Sequence, residues 1–218
     1  MIGLLQRAFR RAADERGLTL IELIMASALL SLVLAAAGTA LASYQRTAAS
    51  SDIRLENLTE AQAIMDVVSR DIRTATRPSA GASPFLLANN NEVRFYANLE
   101  TTTGPKQVRL YVDTASSRVI EEAIEPAGAP PYTYTSTPEV RVVGRHFANA
   151  ASQPLLTYLD DQGNALGPTP LTSAQRLQIE SVRIELSIRK STNLSVRATT
   201  VRTTVRLPNV EYTPVTTP

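Results

Sequence analysis

Apolar and polar positions change rhythm twice along the chain. From Leu18 to Ala42 the residues are mostly apolar, interrupted by Thr19, Glu22, Ser27, Ser31, Gly38 and Thr39, and no charged residue stands between Glu22 and Arg46. A spanning helix needs roughly 20 apolar residues, so this run is long enough. From residue 44 the rhythm becomes helical and amphipathic. Ile53, Leu55, Leu58, Ala61, Ile64, Met65, Val68 and Ile72 recur at spacings of three and four, which makes one apolar stripe. Asp52, Arg54, Glu56, Glu60, Asp66, Arg70 and Arg73 fall mostly off that stripe as a solvated face. Pro78 closes the segment, because proline disfavours helix at the residue before it. The pattern predicts one helix from about Leu18 to Arg77, roughly 60 residues long, with a weak point at Ala48–Ser51. Met65 belongs to its core face.

After Pro78 the period shortens to two. Residues 79–92, rich in Ser, Gly, Ala and Asn, are expected to be a loop. Strands are predicted at 92–97, 106–113, 117–124, 139–147, 154–160, 178–190 and 194–207. Alternation is cleanest at Val182, Ile184, Leu186 and Ile188 against Arg183, Glu185, Ser187 and Arg189, a half-buried strand with one wet face. "KSTN" suits a hairpin turn between the last two strands, and "DDQGN" (160–164) is another turn. Residues 172–176 are expected to make one helical turn capped by Thr172 or Ser173. The segment 128–138 reads as an exposed loop whose two tyrosines suit either a packed loop, the preferred reading, or a binding site, and 208–218 as an extended tail. One long helix followed by a run of strands indicates an α+β fold, with the apolar helix face laid on an antiparallel sheet. The divisions expected are 1–17, a leader; 18–45, a membrane or filament-core helix; 46–77, an amphipathic helix packed on the sheet; and 78–218, a β-rich domain.

Composition removes several function classes. The chain has 218 residues, no cysteine and one histidine, His146. Disulfides, thiol chemistry, cysteine-ligated zinc and two-histidine metal sites are excluded. The net charge is +2. Arg7, Arg10, Arg11 and Arg16 outweigh Asp14 and Glu15 near the start, so the remainder is about neutral and not a strongly basic nucleic-acid domain. His146, in a strand-like stretch beside Arg145 and Phe147, reads as structural. Glu121 and Glu122 are adjacent in a strand and point to opposite faces, which disfavours a catalytic pair. Asp160, Asp161 and Asn164 are weak calcium candidates whose spacing does not match a twelve-residue calcium loop, so a turn is the better reading. Arg197, Arg202 and Arg206 on the last strand are candidates for DNA phosphate contact, with solvated edge-strand charges as the alternative. No phosphate loop, dinucleotide fingerprint or catalytic set is present, and neither a cofactor nor enzymatic activity is expected.

The basic stretch 7–16 before the apolar run places the N-terminus in the cytoplasm and the chain beyond the run outside it. A cleaved secretory signal or a plain signal anchor would share these features. Neither accounts for Glu22, because a carboxylate near the bilayer costs about 2.5–3.5 kcal/mol on insertion scales and calls for a partner. "RGLTLIEL" (16–23) resembles the N-terminal signature of type IV pilins and type II secretion pseudopilins. The resemblance implies that a prepilin peptidase cuts after Gly17, that Leu18 becomes an N-methylated terminus, and that Glu22 is the fifth mature residue. It further implies that the Glu22 carboxylate meets the N-terminal amine of a neighbouring subunit in a filament. Leu18 departs mildly from the Phe or Met common there, and Gly38 and Thr39 stand where a proline is often found.

The order of later segments, "EVRFY", "LLTYLDDQGN", "IESVRIELSIR" and "TTVRLPN", resembles the larger minor subunits, the W-type of type IV pili and the J-type of type II secretion. Pro208 replaces an Arg often seen near the end. The resemblance implies a bacterial inner-membrane protein of one span that enters a filament or its tip beside other major and minor subunits. It implies a part in initiating or capping a pilus used for motility, adhesion or DNA uptake. Two rivals stand beside it, a type II secretion pseudopilin and a signal-anchored periplasmic binding domain.

Overall fold

The computed structural model describes residues 19–79, 81–99, 104–190 and 197–208. Its elements in chain order are α1 (Leu20–Arg73), β1 (Phe85–Ala88), β2 (Glu92–Ala97), β3 (Lys106–Asp113), β4 (Arg118–Ile124), β5 (Glu139–Gly144), β6 (Leu156–Leu159), α2 (Ser173–Arg176), β7 (Ser181–Ile188) and β8 (Thr199–Arg206). Two compact units divide between Ala49 and Ser50. The fold is α+β and pilin-like, a long N-terminal helix followed by antiparallel sheet.

The first unit is the apolar part of α1. Its polar interruptions are satisfied within the helix. Ser27, Ser31 and Thr39 donate their hydroxyls to the carbonyls of Ile24, Ser27 and Ala36 at 2.9, 2.8 and 2.8 Å, so none needs water. The helix is continuous through Ala48–Ser51, the expected weak point. It ends at Arg73, four residues short of the expected end, because the chain leaves it to pair with β2. Thr76 N–H donates to the Tyr96 carbonyl at 2.8 Å, Asn98 N–H donates to the Thr74 carbonyl at 3.0 Å, and Ala75 bridges Ala97.

In the second unit, the stripe Asn57, Ala61, Ile64, Met65, Val68, Asp71 and Ile72 is buried. Each large apolar side chain there contributes about 1.5–3 kcal/mol through burial. Leu55, expected on the stripe, is exposed, whereas Asn57 and Asp71 are buried on it. The stripe shares one core with two antiparallel sheets where the sequence predicts a single sheet: β1-β2-β3-β4-β5 and β6-β7-β8. The first is a meander in which sequence neighbours are space neighbours. Links between the sheets join the turn after β1 to β6. Leu156 N–H donates to the Asn90 carbonyl at 2.9 Å, and Tyr158 Oη donates to the Asn89 carbonyl at 2.9 Å. Tyr158 packs edge-on to Phe85 at 6.2 Å between centroids, and Phe85 lies 6.1 Å from Phe95, geometry that favours aromatic pairs.

β1 overturns the loop expected at 79–92. Phe85 pairs Phe95 and Ala88 pairs Val93, with a bulge between Phe85 and Leu87, and both Phe85 and Ala88 are buried. β5 stops at Gly144, short of the expected 147, because His146 adopts φ 58° and turns the chain. A strand position for His146 is therefore wrong. α2 is the expected helical turn. Thr172 caps it through a reciprocal box with Gln175. The 128–138 loop is packed, with Tyr134 5.3 Å from Tyr96 and its hydroxyl donating to the Pro105 carbonyl at 2.7 Å. The β7–β8 pairing runs from Ser181–Arg206 to Ile188–Thr199, and the "KSTN" hairpin turn lies largely outside the described residues, as does the 208–218 tail apart from Pro208.

Candidate assembly site

Glu22 sits in the first turn of α1. Thr19, just before the helix, donates both its backbone N–H and its hydroxyl to Glu22 Oε2 at 3.0 Å. Glu22 N–H donates back to Thr19 Oγ1 at 3.3 Å. These reciprocal bonds form a capping box that satisfies two of the helix's otherwise orphaned donors. The carboxylate also lies at the positive end of the helix dipole. Both bonds to the carboxylate among the described residues land on one oxygen. The signal for this box is "TLIE", a Thr three residues before a Glu at the head of an apolar run, and it escapes a reading that weighs Glu22 only as a membrane cost. Gly17 and Leu18 lie outside the described residues.

Beyond this turn the helix is naked. Leu20 is 76% exposed and Leu32 69% exposed, with their apolar neighbours similar. The span has a mean hydropathy of 2.3 over its best window, and none of that window is buried among the described residues. So much exposed apolar surface requires lipid or the helices of other subunits around it.

A second cluster, unforeseen from sequence, lies in the second unit. Across the meander, Val93, Leu110, Glu121 and Arg141 occupy one row. It begins apolar and ends charged. Glu121 is 6% exposed and Asp71 of α1 only 1%. Arg141 Nη2 lies 2.5 Å from Glu121 Oε2 and 3.6 Å from Asp71 Oδ2, and Arg70 Nε is 3.5 Å from Asp71 Oδ1. Asp71 Oδ2 is buried without a hydrogen-bond partner. These groups line a groove of about 360 Å³ that also reaches Lys106 and Glu139. Burial, then the hydrogen bond and negative charge of Glu121, push the Asp71 carboxyl up to about 7, while Arg70 and Arg141 pull the other way. The available signal is that Asp71 falls on the apolar stripe, three residues after Val68 and seven after Ile64.

The other sequence candidates are dispersed. Glu122 points away from Glu121, as alternation requires, and takes Arg109 at 3.1 Å and the Tyr111 hydroxyl at 3.1 Å. Asp160 Oδ1 accepts from the N–H groups of Gln162 and Asn164 at 3.0 and 2.8 Å, and Asn164 Nδ2 approaches Asp160 Oδ2 at 3.3 Å. That carboxylate is engaged in its own turn, and Asn164 presents a donor to it where a cation would need an oxygen. Among the described residues no group of three His, Cys, Asp or Glu is placed to hold a metal. His146 Nδ1 lies 3.1 Å from Glu60 Oε2, and Arg145 N–H donates to Glu60 Oε1 at 3.2 Å. These bonds tie the turn after β5 to α1. Arg197 precedes β8, and on β8 Arg202 is paired with Glu185 at 2.5 Å, so the three arginines do not form one basic strand.

The fold and the N-terminal turn define an α+β, pilin-like chain with one membrane-capable helix. Residues 13–38 match the family model described as the prokaryotic N-terminal methylation motif. The match takes in Gly17, Leu18 and Glu22 and supports a type IV pilin or pseudopilin signal. No curated protein matches the chain.

Proposed function

We propose that this chain is a minor, non-enzymatic structural subunit of a type IV pilus, W/J-like in kind, that helps to initiate or cap assembly. The observation that carries this is a methylation-motif signal heading a helix whose apolar surface is exposed among the described residues. Prepilin peptidase cuts after Gly17 and Leu18 is methylated. The helix rests in the inner membrane, with the sheet domain outside the cytoplasm, until neighbouring major and minor subunits take it up. Glu22, fastened to Thr19 through one oxygen, offers its charge to a neighbour's N-terminal amine.

Intact-mass measurement on the chain coexpressed with the peptidase tests the processing step. The expected product lacks residues 1–17 and carries one added methyl group on its amine. A chain that keeps its leader under those conditions refutes the proposal and favours a plain signal anchor. The same signal serves a type II secretion pseudopilin, and recovery in a short periplasmic filament tied to protein export, not in a surface pilus, selects that role.

A further inference from the structure

We propose that protonated Asp71 donates to the Glu121 carboxylate and so forms a latch that holds the end of α1 to β4 and β5, and that loss of this proton loosens the latch. The geometry supplies the reason. Two carboxyls from separate elements meet in the core, at a point where the row Val93–Leu110 would otherwise continue apolar. Among the described residues their one close common cation is Arg141, which binds Glu121 at 2.5 Å and reaches Asp71 at 3.6 Å. One guanidinium balances one carboxylate. With both ionised, a buried negative charge is left facing another, and Asp71 Oδ2 has no donor. A single proton on Asp71 cancels the excess charge and supplies the missing donor between the two carboxyls.

The charged groups facing the pair from each packed element are Arg70 of α1, Lys106 of β3, and Glu139 and Arg141 of β5. Lys106 is engaged by Glu125 at 2.5 Å, and Glu139 adds negative charge. Arg70 reaches Asp71 only at 3.5 Å from a largely exposed side chain. Lys106 is mostly buried, but the cations that pull the Asp71 carboxyl down are Arg70 and Arg141.

The sign comes from linkage. The folded state holds the Asp71 proton with a pKa of about 7, against 3.8 for the free group. The stability it contributes is full below the lower value and is lost as pH rises through the upper one. This is the reverse of ordinary acid denaturation.

The test is urea unfolding of the full chain in detergent, followed by tyrosine near-ultraviolet dichroism, in a His146→Gln background that removes the imidazole. The unfolding constant is expected to rise by up to about 10-fold per pH unit between about pH 4 and 7 and then level off. Asp71→Asn, permanently neutral and able to donate to Glu121, should abolish that rise. Glu121→Gln removes the repelling charge and should move the rise to lower pH, and it decides the matter if Asp71→Asn fails to fold. A constant that does not change with pH in the parent overturns the proposal. So does an unchanged slope in Asp71→Asn, or an unmoved window in Glu121→Gln.

Discussion

Glu22 can act in two ways, and substitutions separate them. Within one chain it accepts two bonds from Thr19 at 3.0 Å and closes a capping box. Between chains its charge would pair with an amine. Removing a cap costs about 0.5–2 kcal/mol, whereas stranding one member of a desolvated charge pair costs about 3–5 kcal/mol. At about 1.4 kcal/mol per factor of ten, the second loss lowers incorporation by roughly 100-fold or more. Glu22→Gln keeps the box, because Gln serves at that position as well as Glu, but carries no charge. Thr19→Val breaks the box and leaves the charge. The charge-pair account therefore expects Glu22→Gln to fall with Glu22→Ala, and Thr19→Val to lose about 30-fold or less. The assay is the amount of each variant in sheared filaments, normalised to its amount in the membrane fraction. Wild-type recovery of Glu22→Gln, with Thr19→Val as poor as Glu22→Ala, would reduce Glu22 to a helix cap and refute the pairing.

Gly144→Ala should destabilise the second unit by about 1–3 kcal/mol or more, because a Cβ there would lie 2.1 Å from Ile64 Cδ1. Combining it with Ile64→Ala should cost less than the sum of the two, as read from urea midpoints; strict additivity would mean that the two do not meet. Asn57→Ala should cost about 1–3 kcal/mol by leaving Lys190 N–H without its bond to Asn57 Oδ1 at 3.0 Å. Hydrogen exchange should then quicken at Lys190 and the end of β7 before it does so in β2 or β3.

Local period is enough for much of the fold. β2 and β3 begin and end where their alternation does, since each buries every second residue on one face. The stripe of α1 is legible from Ala61 to Ile72 for the same reason. β1 is not, because "FLLA" is four residues between Pro84 and Asn89 and alternates nothing; its strand character comes from pairing with Phe95 and Val93. The split into two sheets is also invisible in the sequence. It depends on contacts such as Asn90 with Leu156, which no local pattern encodes. At the candidate site, Gly17, Leu18 and Glu22 are legible as a spaced motif. The acid pair is only half legible: Asp71 stands on the apolar stripe, but no local pattern shows that β4 brings Glu121 beside it.

The buried side chain of Asn57 has a consequence for the order in which the chain is made. The meander from β1 to β5 is built from neighbours in sequence, so each strand finds its partner soon after it is synthesised. Asn57 is present earlier still, yet the N–H it satisfies belongs to Lys190, at the end of β7. Until the chain reaches Lys190, the Asn57 amide oxygen lacks this partner. A chain cut short before β7 would carry the meander without this tie to α1. The last-made strands thus tie the end of the core back to the helix made first.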